Sequence, residues 1–234
     1  MPAEPENFVL TEELPNTPEP QQPQEETKLH SVVIDLTGQE TRQRENEQFK
    51  AQNFRITDEH LGEGSAKTKF GYNIAAIQTL KQIEAEGRQA RPDEQEILSR
   101  YVGWGGISQA FDEENTQWSE EYRQLKELLT EKEYDAARSS TLNAHYTSPT
   151  VIRAMYDAIE KMGFRTGNVL EPSCGVGNFF GMLPDDMSGS RLYGVELDSI
   201  TGRIARQLYP DARITISGFE KTQRRDFFDL AIGN

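Results

Sequence analysis

Four short apolar runs in the last third of the chain each stop at or beside an acid, a glycine or an asparagine. They are Asn168-Val169-Leu170-Glu171, Leu192-Tyr193-Gly194-Val195-Glu196-Leu197, Ile214-Thr215-Ile216 and Phe227-Phe228-Asp229-Leu230-Ala231-Ile232. Runs this short read as strands. Helical patterns stand before and between them. Ser148-Pro149 opens one, with Val151, Ile152, Met155, Ile159 and Met162 as its apolar stripe and Gly163 as its stop. Another covers about Ser199 to Leu208, with Pro210 behind it. Alternating strands and helices predict a doubly wound α/β sheet, in which ligands sit at the carboxyl ends of the strands. The unusual residues all fall there: Glu171 through Gly177, Glu196, Gly218 through Glu220, and Asn234.

The first of these loops is Glu171-Pro172-Ser173-Cys174-Gly175-Val176-Gly177-Asn178-Phe179-Phe180. Its glycines let backbone N–H groups approach a ligand closely. Glu196 closes the second strand and suits the two hydroxyls of a ribose. These features imply a nucleoside-containing cofactor, either a dinucleotide or S-adenosylmethionine. The dinucleotide fingerprint asks for Gly or Ala three residues after its second glycine. That position is Phe180 here, and a bulky ring there should keep the helix from packing close to the strand. Glu171 stands four residues before Gly175, where an acid can face the ammonium of an amino-acid tail. Both points favour S-adenosylmethionine.

Residues 51–144 read as a helical lead-in. Ile74, Ile77, Leu80 and Ile83 recur at helix spacing between Tyr72 and Glu86. Pro92-Asp93-Glu94 opens a second helix that Gly103 should stop after Val102, Ser119 caps a third, and Thr130 with Glu133 makes a capping box for a fourth. Tyr101-Val102-Gly103-Trp104-Gly105-Gly106 reads as a helix end and tight turn with a half-buried Trp104, rather than as a base-stacking platform. Residues 1–50 are different. The first 30 carry seven Glu against Lys28, with six prolines, and have almost nothing to bury. Such a segment cannot offset the entropy of ordering and is expected to be a disordered tail. Val32-Val33-Ile34 within it is at most a docking strand.

The net charge of −14 argues against holding nucleic acid by bulk charge, and residues 151–234 add only −1, with no basic stripe. No run of about 18 apolar residues exists, and no signal segment opens the chain. One cysteine, Cys174, excludes an intrachain disulfide and fits a reducing, cytoplasmic setting. His30, His60 and His145 stand in unrelated contexts, so no metal site is expected.

The loop 171–179 resembles the cofactor loop of N6-adenine DNA methyltransferases of the amino-methylating class. His145-Tyr146-Thr147-Ser148-Pro149 is similar to their Y-T-P segment, Gly194-Val195-Glu196 to their ribose-binding acid, and Phe228 through Asn234 to the approach to their N-P-P-Y/F catalytic loop. The lead-in, from Asn53-Phe54-Arg55-Ile56-Thr57 through Gln95-Glu96 and Trp104, resembles that of very large methylase–helicase proteins of bacterial conjugative and phage-like elements.

The resemblance implies a Rossmann-like methyltransferase core of about four strands over 145–234, in the order 3-2-1-4, with S-adenosylmethionine as cofactor and DNA as partner. It implies that Thr147, Glu171, Ser173 and Gly175 surround the methionine part, with Tyr146, Pro172, Gly177 and Leu197 beside them. Glu196 takes the ribose, and Phe219 and Glu220 the adenine, in the reverse of the family's acid-then-aromatic order. Asn234 is the catalytic residue, its side-chain oxygen accepting from the target amino group. Since Asn234 opens the catalytic loop, the chain reads as the cofactor-binding piece of a larger protein, inactive alone. A methylase-like scaffold without catalysis is the alternative.

Overall fold

Ser65 sets the start of the first helix, because its side chain accepts the Thr68 N–H. That cap carries α1 over Ala66–Ala85, several residues earlier than the apolar spacing alone implies. Phe70, Ile74, Ile77, Leu80 and Ile83 form its buried face. The computed structural model describes residues 50–142 and 146–234. The expected tail, its Val32-Val33-Ile34 run and His145 lie outside them.

Helix α2, Pro92–Ser99, begins as expected at its proline but stops short of Val102. The reason lies on α1. The buried Asn73 side chain accepts the Val102 N–H at 2.9 Å and donates to the Gly103 carbonyl at 2.5 Å. A side chain some thirty positions away thus takes over the groups that a longer helix would use. Gly103 comes next, with a positive φ of 65°. Trp104 is not half-buried: it is 1% exposed, edge-on to Phe70, Tyr101 and Phe111. Helix α3, Ser119–Leu128, has Trp118 at its cap position, with no side-chain cap bond, instead of Ser119. Helix α4, Glu131–Ser140, has the expected box, Thr130 N–H to Glu133 at 3.0 Å and Glu133 N–H to Thr130 Oγ1 at 3.3 Å.

Helix α5, Pro149–Lys161, buries Ile152, Tyr156 and Ile159. Val151 and Met162 of the expected stripe face solvent, Met162 with 77% exposure. Tyr156 replaces them because its hydroxyl finds the Phe179 carbonyl at 2.8 Å, so a polar tip goes in without an orphaned group. Beyond α5 run four parallel strands: β1 Asn168–Glu171, β2 Arg191–Glu196, β3 Arg213–Ile216 and β4 Leu230–Ala231. Their order is β3-β2-β1-β4, as expected. The winding therefore reverses between β1 and β4, which puts a crevice at their carboxyl ends. Strand β4 is shorter than the run 227–232, because Phe227 and Phe228 leave the ladder to pack on Tyr193, 5.2 and 5.5 Å between ring centres.

A one-turn α6, Asn178–Gly181, comes after β1, and α7, Ser199–Leu208, after β2. The described residues form one unit, with a core that runs from Phe70 and Leu80 on α1 to Val169 and Ile214 on the sheet. An extended strap crosses it: Phe54 N–H reaches the Leu208 carbonyl and Ile56 N–H the Gly181 carbonyl, at 2.8 and 2.9 Å.

The Phe180 ring does not hold α6 away from the sheet. It is buried above β2 at Gly194, where a Cβ would stand 3.2 Å from the ring and 2.8 Å from Cys174 Sγ. Missing side chains permit this packing in the strand, at Gly194, as well as in the loop, at Gly177. Gly194→Ala is therefore expected to lower stability by about 1–3 kcal/mol. Adding Cys174→Ala should recover part of that loss in urea unfolding.

Candidate cofactor site

The turn after β1 is held in place by the end of β2 and the acid that closes it. Gly175 has a φ of +55° and Gly177 of +87°, the left-handed region that glycine enters without penalty. In this conformation Gly175 N–H donates to Glu196 Oε2 at 2.8 Å, and Cys174 N–H to the Val195 carbonyl at 2.9 Å. A Cβ on Gly175 would come 3.2 Å from the Tyr146 ring, and one on Gly177 2.5 Å from the Tyr209 ring. The glycines are thus needed for space as well as for conformation.

Glu196 Oε1 accepts a second backbone bond, from Asp198 N–H at 2.7 Å. Asp198 itself caps α7, accepting from Thr201 N–H and from Thr201 Oγ1 at 2.8 and 2.7 Å. A carboxylate has about four lone-pair sites, so Glu196 keeps capacity for two hydroxyls after both backbone bonds. Burial raises its pKa in spite of them.

Glu171 is in a harsher setting. It is 3% exposed, and its Oε2 has no hydrogen-bond partner among the described residues. Burial, then the nearby Glu196 charge, pushes its pKa well above the carboxylate range. Both acids open on a cavity of about 570 Å³. Tyr146, Thr147, Ser173, Gly175, Leu197 and Asn234 line it with them. Asn234 Nδ2 donates to Thr147 Oγ1 at 3.2 Å, tying the end of the chain to the entry of α5.

Eight of the twelve expected site residues thus meet in one place. Pro172 and Gly177 shape the loop without lining the cavity. Phe219 and Glu220 form a short turn beyond β3, Phe219 half exposed, and neither lines the cavity. The sequence reading missed the opposite wall: Tyr101 and Gly103 after α2, and Ala136, Ser139 and Ser140 on α4. It also missed Asp198 and Thr201 at the start of α7. Only the cap signal of Asp198 before a helical run could have drawn attention to the last pair.

Glu171, Glu196 and Asp198 are the charged residues of the lining; no Lys, Arg or His of the described residues is among them. Burial also lifts the Tyr101 and Tyr146 phenols, which stay protonated as donors. The cavity suits a neutral or cationic ligand and offers a diphosphate no basic side chain. Among the described residues no group of three or more His, Cys, Asp or Glu could hold a metal ion, and no helix is long and apolar enough to cross a membrane.

No family model matches the chain. Over 76 residues it is 36% identical to the Type II methyltransferase M.CvrRI of Paramecium bursaria Chlorella virus XZ-6E, which is 32% of this chain and 20% of that protein. The likeness is to a methyltransferase. Over 165 residues, 69% of this chain, it is 26% identical to Defense against restriction protein B of Escherichia phage P1, and spans 6% of that protein. A Listeria monocytogenes protein provisionally assigned to the class I S-adenosylmethionine-dependent methyltransferases overlaps 72% of this chain and 59% of its own. Its TM-score is 0.34 at 14% identity, too slight to carry an argument. The chain therefore covers a fifth or less of each curated relative.

Glu171 leads to a prediction about pH. A carboxyl whose folded pKa is raised supports the fold fully below its unfolded pKa, about 4.3, and loses that support as pH rises. Glu171→Gln removes the loss. It should unfold at the same temperature as the parent near pH 4 and be more stable at pH 8, by about 1–2 kcal/mol. Thermal unfolding at the two pH values checks this.

Proposed function

We propose that residues 50–234 form the cofactor-binding part of an S-adenosylmethionine-dependent DNA methyltransferase acting on the adenine amino group. The observation that carries the reading is the unpartnered, buried Glu171 Oε2 in a cavity lined by acids and by no described base. Burying a carboxylate without a partner is costly. A cationic amino group entering the cavity supplies the missing donor together with an opposite charge, whereas a nicotinamide dinucleotide brings a negatively charged diphosphate toward the acids. The likeness to a Type II methyltransferase supports the same choice.

Bound in this site, S-adenosylmethionine supplies a methyl group on a positively charged sulfur. The chain's own residues bind and orient. Glu171 accepts from the ammonium, with Ser173 and Thr147 beside it in the lining. Glu196 accepts from the ribose hydroxyls, and it is already aimed by Gly175 N–H and Asp198 N–H, so little rearrangement is needed. Asn234 donates its side-chain N–H to Thr147, which leaves its side-chain oxygen to accept from the amino group of a substrate base. An acceptor there turns the nitrogen lone pair toward the methyl group, a matter of orientation rather than of proton transfer.

Calorimetric titration with S-adenosylmethionine, with NAD as the control, tests the assignment. Selective binding is expected, and Glu196→Ala should weaken it about ten- to a hundredfold through the loss of two charge-assisted bonds. A chain that circular dichroism shows to be folded and that binds neither compound would leave the scaffold reading in its place.

A further inference from the structure

Two helices both contribute residues to the lining of the cavity. Ala136, Ser139 and Ser140 come from α4, and Asp198 and Thr201 from the start of α7. A partly buried ion pair joins these helices: Glu133 Oε1 of α4 meets Arg203 Nη1 of α7 at 3.0 Å. Glu133 Oε2 accepts from Lys81 of α1 and from the Thr130 N–H, each at 3.0 Å. Arg203 Nε faces Glu84 of α1 at 2.9 Å. Two acids and two bases thus balance at the junction of three helices.

The division of labour within Glu133 is informative. Its Oε2 serves the capping box, which any helix start can use. Its Oε1 has no part in the cap and reaches across to α7. On α4, Ala136 and Ser140 lie three and seven residues on, on the same face as Glu133. At a rise of about 1.5 Å per residue the cavity-lining turn stands only one to two turns above the pair. On α7, Thr201 is two residues before Arg203.

We propose that Glu133 is a positioning residue for the cofactor cavity, its pair with Arg203 fixing how far the α4 wall stands from the α7 wall. The proposal rests on the cavity being a cofactor site. Burial pulls the Glu133 carboxyl upward, but the Thr130 N–H, Lys81 and Arg203 overrule it and hold it at about 2, so the pair persists at every working pH.

The test compares the parent chain with Glu133→Gln, Arg203→Lys and Lys81→Met, each well below its own unfolding temperature. Lysine keeps the charge of Arg203 but cannot reach Glu133 and Glu84 together. S-adenosylmethionine affinity is read by calorimetry, and amide exchange over residues 136–140 is read without any ligand. Glu133→Gln and Arg203→Lys should bind about five- to tenfold more weakly, with a double variant no weaker than the worse single one. Both should exchange faster over 136–140. Lys81→Met should lower the unfolding temperature while affinity stays within about twofold. Affinity and exchange unchanged in both pair variants, with only the unfolding temperature lowered, would overturn the proposal. If the parent chain fails to bind S-adenosylmethionine, the cofactor reading falls, and ligand-free exchange over 136–140 alone decides whether the pair holds the wall.

Discussion

Glu196 fastens three pieces of chain, two through its carboxylate and one through its backbone carbonyl. One oxygen takes the Gly175 N–H of the turn after β1, and the other takes the Asp198 N–H that starts α7. Its backbone carbonyl takes the Ser217 N–H that ends β3. The left-handed Gly175 is best understood from this bond, since the turn must present its N–H to the acid rather than to solvent. The arrangement places a second acid, Glu171, in the same cavity, where its Oε2 has no hydrogen-bond partner among the described residues. Burial and the Glu196 charge therefore push Glu171 toward its protonated form.

Much of this was legible in the sequence. The four apolar runs showed the strands, and three of them lead into residues that line the cavity, Glu171, Glu196 and Asn234, because in a parallel sheet those ends converge, whereas Phe219 and Glu220 after the third do not line it. The capping box at Thr130 and Glu133, and the proline starts of α2 and α5, arise from local chemistry that tertiary packing rarely overrides. The features that were not legible depended on distant partners. The early end of α2 comes from Asn73, on another helix. The choice of Tyr156 over Val151 and Met162 comes from a carbonyl across the core. Apolar periodicity tells which face is buried but not against what, so α4 could not be placed at the cavity. Phe180 and Gly194 show the same limit from the other side. A motif departure in one loop is absorbed by a glycine in a neighbouring strand.

The Gly103-Trp104 segment shows why the helical region and the sheet have to be considered together. Trp104 is a packing residue, enclosed by Phe70, Tyr101 and Phe111. That packing has a consequence two steps along the chain. With Trp104 fixed, Tyr101 stands edge-on to it, 6.5 Å between ring centres, and Gly103 is held through its carbonyl by Asn73. Both then line the cavity beside Glu196, Asp198 and Thr201. The lead-in does not merely precede the sheet. It shares one core with it and supplies the wall that faces the strand ends. A sheet without that wall would leave Glu171 and Glu196 open to water. There their mutual repulsion would be screened, and their attraction for a cation would weaken with it. The burial that raises the pKa of Glu171 is thus provided in part by the helices.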